Sequence, residues 1–172
     1  AAGSLFTGFF DAATSLTDAF RSLQLGLAFK HEPLFFSGWY SYSPGPVFCR
    51  PDRSSADGLT PVPGVTDRPT ICAILFESTA QMPYQNGGTY LSDDNENVIC
   101  RALLPDSMAV ATDGWKPFSL DFVPLNGRSI DRKKLEEGRY SLAIVFSSSN
   151  DGGNFRAAVG SWLLIDDIFI TV

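Results

Sequence analysis

The C-terminal run Trp162-Leu-Leu-Ile-Asp166-Asp167-Ile-Phe-Ile-Thr-Val172 constrains this chain more than any other segment. Its pattern is that of a β-strand, apolar on both parities, with two adjacent carboxylates in its middle. Successive side chains of a strand point to opposite faces, so an acid falls in line with apolar neighbours whichever face is the core. An unpaired buried carboxylate costs several kcal/mol, on the order of the penalty for any desolvated charge. Compensation can come from backbone N–H groups, an Arg or Lys, a bulge that turns the acid outward, or a metal ion. The two-sided apolar pattern predicts a strand paired on both sides within the core, with at least one of Asp166 and Asp167 largely buried.

Around this strand, the other segments predict an all-β chain with little helix. Short apolar runs are punctuated by 15 Gly and 11 Pro, as in antiparallel β proteins with long connections. Strand-like runs cover 5–10, 23–29, 35–42, 71–76, 98–104, 108–112, 115–123, 139–147 and 155–159. Of these, Ile71–Phe76 is continuously apolar and predicts a central strand. Ser15-Leu-Thr-Asp18 has capping-box spacing, which favours a helical turn within 11–20, and 131–137 predicts a short helix ending at Gly138. Six of the 11 prolines fall between Ser43 and Pro69; Pro cannot donate to a ladder, so this stretch is expected to be a long surface loop. The 77–97 segment is polar and carries the turn Asn86-Gly87-Gly88. The expected architecture is a single domain over 1–172, a two-sheet antiparallel β-sandwich of jelly-roll type.

Charge narrows the partners. The net charge is −6, so nucleic acid and anionic lipid are repelled. No apolar stretch is long enough for a transmembrane helix. Ala1-Ala-Gly-Ser reads as the interior of a longer chain. The cysteines, Cys49, Cys72 and Cys100, match no zinc spacing. Cys72 and Cys100 fall in expected strands, where Cys is a small buried hydrophobe, although one bridge between them stays open.

Leu5-Phe-Thr-Gly8, Phe36-Ser-Gly-Trp-Tyr-Ser-Tyr-Ser-Pro-Gly45, Ile71–Phe76, and Ser147-Ser-Ser through Gly160-Ser-Trp-Leu-Leu-Ile-Asp-Asp-Ile168 together resemble, in that order, the putative carbohydrate metabolism domain (PCMD) family, found at the C-terminus of surface lipoproteins of Bacteroides-type gut bacteria. The resemblance implies a jelly roll similar to carbohydrate-binding modules. It also implies an exported protein at the cell surface or in the periplasm, an outer-membrane lipoprotein with a lipid anchor and an N-terminal domain outside this sequence. Two positions depart from the family pattern: Ser41 stands where Lys is usual, and Trp162 where a small residue follows Gly-Ser.

Sugar recognition uses exposed aromatic rings, because the C–H face of a pyranose packs on a π surface. The candidates are Trp39, Tyr40, Tyr42, Tyr84, Tyr90 and Trp115, with Trp162 a further aromatic. Trp39 shares one strand face with Ser41, and Tyr40 the other with Tyr42, so one pair belongs to the core. Tyr84 and Tyr90 flank the Asn86 turn in a polar loop and are expected to be exposed. A structural calcium, needing several hard oxygens, could be held by Asp11, Asp166 and Asp167. The oxygen-rich Asn150-Asp-Gly-Gly-Asn154 turn reads first as Asx-turn chemistry. No catalytic residue is assigned: Asp166 and Asp167 point to opposite faces of a strand, a poor acid/base pair, and no nucleophile elbow or phosphate loop is visible. The expected function is non-catalytic binding of a polysaccharide or other glycan. A structural or adhesion module without sugar binding is the alternative, and a glycoside hydrolase the third reading.

Overall fold

A computed structural model describes residues 3–18, 20–79 and 84–172. Ala1 and Ala2, Ala19 of the expected helical turn, and residues 80–83 of the polar 77–97 segment lie outside it. The chain begins with β1 (Ser4–Phe6) and β2 (Gly8–Phe10), then β3 (Leu23–Leu25), β4 (Leu27–Ala28) and the long β5 (Phe35–Ser43). Next come β6 (Phe48–Pro51), β7 (Leu59–Pro61), β8 (Thr70–Glu77), β9 (Gln85–Asn86), β10 (Val98–Leu103), β11 (Lys116–Asp121) and β12 (Val123–Pro124). The helix α1 (Arg132–Glu136) precedes β13 (Tyr140–Ser147), β14 (Ala157–Ala158) and β15 (Trp162–Thr171). The protein is mostly β, with antiparallel pairing and little helix, as the sequence predicts.

Two sheets carry the core. The larger has the order β1-β13-β8-β10-β12, with β4 also on β13, and the smaller is β11-β5-β15. The apolar run of β8 is flanked by β13 and β10 and is buried almost throughout. Its residues Ile71 and Ala73 meet Phe36, Tyr40, Tyr42 and Phe118 of the smaller sheet in one core cluster. The opposite parity, Cys72, Ile74 and Phe76, packs with Leu25 in a second cluster, under the small sheet β2-β3-β9. The larger sheet is therefore covered on both faces, which explains why β8 shows no alternation.

Several expected elements differ. Leu5–Phe10 and Leu23–Phe29 are each broken, the first before Gly8 and the second at Gly26, both at positive φ. Each glycine sits where a Cβ would strike a neighbour: Gln24 O at 2.1 Å for Gly8, and the Phe76 ring at 2.5 Å for Gly26. The proline-rich 43–69 stretch contains a hairpin of β6 and β7 joined to β14. Met108–Thr112 is not a strand; it reaches β5 through Thr112, whose N–H donates to Tyr42 O at 2.9 Å. Asp131 caps α1 by accepting from the Lys133 and Lys134 N–H groups, and Gly138, at φ 72°, follows its end.

The largest correction concerns β15. It pairs with β5 alone and is the edge of the smaller sheet. A bulge lies between Asp166 and Phe169, with Asp167 at φ 48°. The extra residue switches parity. Leu163 and Ile165 face the core before the bulge, and Ile168 and Ile170 after it. Both parities therefore look apolar in sequence although only one side of the strand is buried.

Candidate functional site

Strand parity sets the outer face of β11-β5-β15. Phe36, Tyr40 and Tyr42 point inward, so Phe35, Ser37 and Trp39 point outward. On β11, Pro117 lies opposite Trp39, and Trp115 immediately precedes the strand. On β15, Trp162 lies opposite Ser43 and Asp166 opposite Trp39. All three tryptophans of the chain are exposed, Trp39 (43%) and Trp162 (45%) on this sheet face and Trp115 (48%) immediately before β11. Phe35, Leu164 and Phe169 are exposed beside them. Trp39 and Trp162 are four residues apart along the strands and one strand across, a span of roughly 14 Å, longer than one pyranose ring. Ser41 and Trp162, the two departures from the family pattern, are both on this face, although Ser41 itself is buried beside Thr112.

The sequence candidates divide. Trp39 and Trp115 are exposed, whereas Tyr40 and Tyr42 are core; the Tyr40 hydroxyl donates to Met108 O at 2.8 Å. Tyr84 and Tyr90 are half-buried rather than exposed. Tyr84 stands edge-on to Phe9, ring centroids 5.6 Å apart. Tyr90 packs against the Leu25 cluster, and burial first, then nearby Cys72, pushes its hydroxyl pKa up.

Asp166 and Asp167 are both exposed, which overturns the expectation of a buried acid in β15. The bulge turns them outward, and Asp166 Oδ1 accepts the Asp167 N–H at 2.9 Å. Gly38, across on β5, makes room: a Cβ there would lie 2.6 Å from Ile168 Cδ1. Charges and a bulge on an edge strand also discourage pairing with another chain. Asp11 is elsewhere, accepting from Ala13 and Thr14 N–H and the Thr14 hydroxyl, contacts that hold its carboxyl below the usual range, Thr14 most of all. Among the described residues no group of three His, Cys, Asp or Glu side chains could hold a metal ion, and Asp11, Asp166 and Asp167 are not brought together.

The buried acid is Asp67, 1% exposed, in the proline-rich segment where no sequence pattern marks it. Oδ1 accepts from Arg68 N–H at 2.9 Å and Ser149 Oγ at 2.7 Å. Oδ2 accepts from Ala158 N–H and Ser161 Oγ, both at 2.8 Å. Four neutral donors thus offset its desolvation. The usable signal was on the donor side: Ser147-Ser-Ser149 and Gly160-Ser161 are hydroxyl-rich beside strands that need an acceptor. The nearby Tyr42 hydroxyl is buried with no hydrogen bond among the described residues. Burial, then Asp67, push its pKa up to about 12.

On the opposite side of the molecule, a cavity of about 870 Å³ opens over the larger sheet. Its floor includes Phe6, Thr70, Val145 and Ser147, and its walls come from the Asn86-Gly-Gly turn with Tyr90 and from the Asn150–Asn154 turn.

The molecule thus combines a sheet face bearing exposed tryptophans with a separate cavity over its larger sheet. The chain belongs to the PCMD family, the putative carbohydrate metabolism domain, which it matches over residues 1–171. It is similar to a crystal structure from Bacteroides thetaiotaomicron VPI-5482 described as a putative glycoside hydrolase, at 36% identity and TM-score 0.88, over 99% of this chain and 47% of that one. A second, from Bacteroides vulgatus ATCC 8482 and described in the same words, gives 34% identity and TM-score 0.84, over 99% of this chain and 64% of that one. The chain therefore spans less than two thirds of either. No curated protein matches it.

Proposed function

We propose that this domain is a non-catalytic carbohydrate-binding module that holds a neutral polysaccharide along the outer face of β11-β5-β15. The observation that carries this reading is the pair of exposed rings Trp39 and Trp162 on one sheet face, with exposed Trp115 immediately before the neighbouring strand. Tryptophan is costly to leave in water without a use, and its face suits the C–H side of a sugar ring. Asp166 lies beside Trp39, and Ser37 and Ser119 lie two positions beyond it, offering partners for sugar hydroxyls. The family's carbohydrate description agrees with this use. The net charge of −6 favours neutral over sulfated or uronic glycans. A jelly-roll form of the β-sandwich belongs to the same proposal, as does an exported setting at the surface of a Bacteroides-type cell with a lipid anchor on the full-length protein.

The names of the two similar structures point to a second reading, glycoside hydrolysis. That reaction needs two carboxylates roughly 5–10 Å apart across the scissile bond. On the tryptophan face, Asp121 lies opposite Phe35 and Asp166 opposite Trp39, about 16 Å apart by strand geometry. Asp18 is the one acid among the cavity's lining residues. Asp167, the other exposed acid of the bulge, is next to Asp166 in the chain and so on the same side of a bound sugar rather than across it, and the cavity has one acid, so binding is the reading favoured here. The test is tryptophan emission during titration with neutral plant and host polysaccharides. A saturable blue shift or quench supports the proposal, and unchanged emission across the panel, with the fold intact, refutes it.

A further inference from the structure

We infer that the cavity over the larger sheet is a second, separate binding site that takes the end of a short neutral oligosaccharide. The inference rests on the carbohydrate reading above but not on the tryptophan face, because the two sites lie on different sheets. The cavity walls are anchored. Phe20 sits between two glycines, where a Cβ on Gly88 would lie 3.1 Å from Phe20 Cγ and one on Gly153 2.8 Å from Phe20 Cε1. The turn after β9 is held to the larger sheet by Arg101, which donates to Leu91 O at 2.7 Å and Asp93 Oδ1 at 2.8 Å. Arg128 adds bonds to Asn95 O and Val98 O. The opposite wall is tied through Ser149 to Asp67. A site anchored on both sides loses little entropy on binding.

The chemistry of the lining selects the ligand. Among the described residues no Lys, Arg or His lines the cavity, so a phosphate or carboxylate would enter without a counter-charge in its lining. The lone acid among the lining residues, Asp18, is already occupied by the Phe20 and Arg21 N–H groups on Oδ1 and by the exposed Arg21 guanidinium, 3.9 Å from Oδ2. What remains is aromatic surface from Phe6, Phe10 and Tyr90 beside neutral hydroxyls and amides such as Asn150, the combination that suits a sugar's C–H face and its hydroxyls. One group is left over. Thr70, on the floor, is only 4% exposed, and its hydroxyl makes no hydrogen bond among the described residues. A ligand hydroxyl would complete it. The volume of about 870 Å³ lies near the upper end of small-molecule sites, roughly 300–1,000 Å³, enough for more than one sugar ring.

The experiment is calorimetry of the intact domain with short neutral oligosaccharides and, separately, long polysaccharides. It compares the parent with Thr70→Val, Ser4→Phe and Trp39→Ala. Thr70→Val is expected to weaken oligosaccharide binding about tenfold, the value of one lost hydrogen bond, while melting no lower than the parent, because the hydroxyl is unpartnered without ligand. Ser4→Phe, at the cavity lining, is expected to abolish that binding, and Trp39→Ala to leave it unchanged. Three results would overturn the inference: no short sugar binds the folded parent, both cavity variants bind like the parent, or Thr70→Val loses stability along with affinity. Loss of polysaccharide binding in Trp39→Ala alone bears only on the tryptophan face.

Discussion

The Asp67 carboxylate accepts the Ser161 hydroxyl at 2.8 Å across 94 positions of sequence, and with Ser149 and Ala158 it ties three distant segments into one junction. Asp67→Ala would leave four donors without their acceptor, two of them backbone N–H groups. Each orphaned buried donor costs about 1–3 kcal/mol, so the variant is expected to lose at least several kcal/mol in urea or thermal unfolding. Asp67→Asn keeps the shape but turns an acceptor oxygen into a donor facing a donor, and is expected to fall between parent and Ala. A Asp67→Ala melt overlaying the parent would refute the junction's role.

The bulge in β15 gives the opposite result for the acids that dominate the sequence. Asp166→Ala is expected to melt within about 0.5 kcal/mol of the parent, as surface changes do. Asp167 has a left-handed backbone, so Asp167→Gly should be neutral or stabilising, and Asp167→Val should cost about 1–2 kcal/mol. Gly38→Ala drives a Cβ into Ile168 and should cost about 1–3 kcal/mol by overpacking. Chemical denaturation of the four variants checks the order.

Much of the strand framework was legible because period-two patterns report burial directly. β5, β8, β10, β11, β13 and β15 all lie where alternation or continuous apolarity places them. The position of β15 in its sheet was not legible. A bulge moves the inward parity by one, and an apolar outer face then looks the same as burial on both sides. Gly38, a lone glycine inside the aromatic strand β5, was the available sign of a bulge opposite. The choice of Trp39 over Tyr40 and Tyr42 as the outward face could not be read, since both parities of β5 are aromatic. The cavity joins segments more than a hundred residues apart, and although both of its turns stood out in sequence, nothing local says that Asn86-Gly-Gly and Asn150–Asn154 face one another.

The cysteines make a separate check. All three are free. Cys72 points to the face of Ile74 and Phe76, whereas Cys100 pairs with Leu75 on the other parity, so the bridge left open by the sequence is not formed. Burial pushes both thiols up to about 12. A thiol reagent at neutral pH is expected to modify only Cys49 in the folded protein, and all three cysteines in denaturant. Protection of two cysteines in denaturant as well would mean a disulfide.

Acid should loosen the β6–β7 hairpin only near pH 2. Asp52 accepts from Ser54 N–H and Oγ and from Thr60 Oγ1, which lowers its pKa from 3.8 to about 2, Ser54 contributing most. Its folded pKa is depressed, so its stabilisation is complete above about pH 4 and is lost as pH falls through about 2. The Ser54 amide resonance is expected to titrate with a midpoint near 2. A midpoint near 3.8 would mean that these bonds do not persist in solution.

The central claim is that the tryptophan face binds a neutral polysaccharide, and calorimetry of the parent beside Trp39→Ala, Trp115→Ala and Trp162→Ala tests it most directly. Stacked rings contribute about 0.5–1.5 kcal/mol each, against the cost of ordering a flexible chain, so parent affinities on the order of micromolar to millimolar are expected. Each exposed ring removed should weaken binding roughly two- to tenfold, with melting temperatures unchanged because none of the three is in the core. Binding by the parent that all three variants keep in full, or no binding by a folded parent to any neutral polysaccharide, would contradict the account.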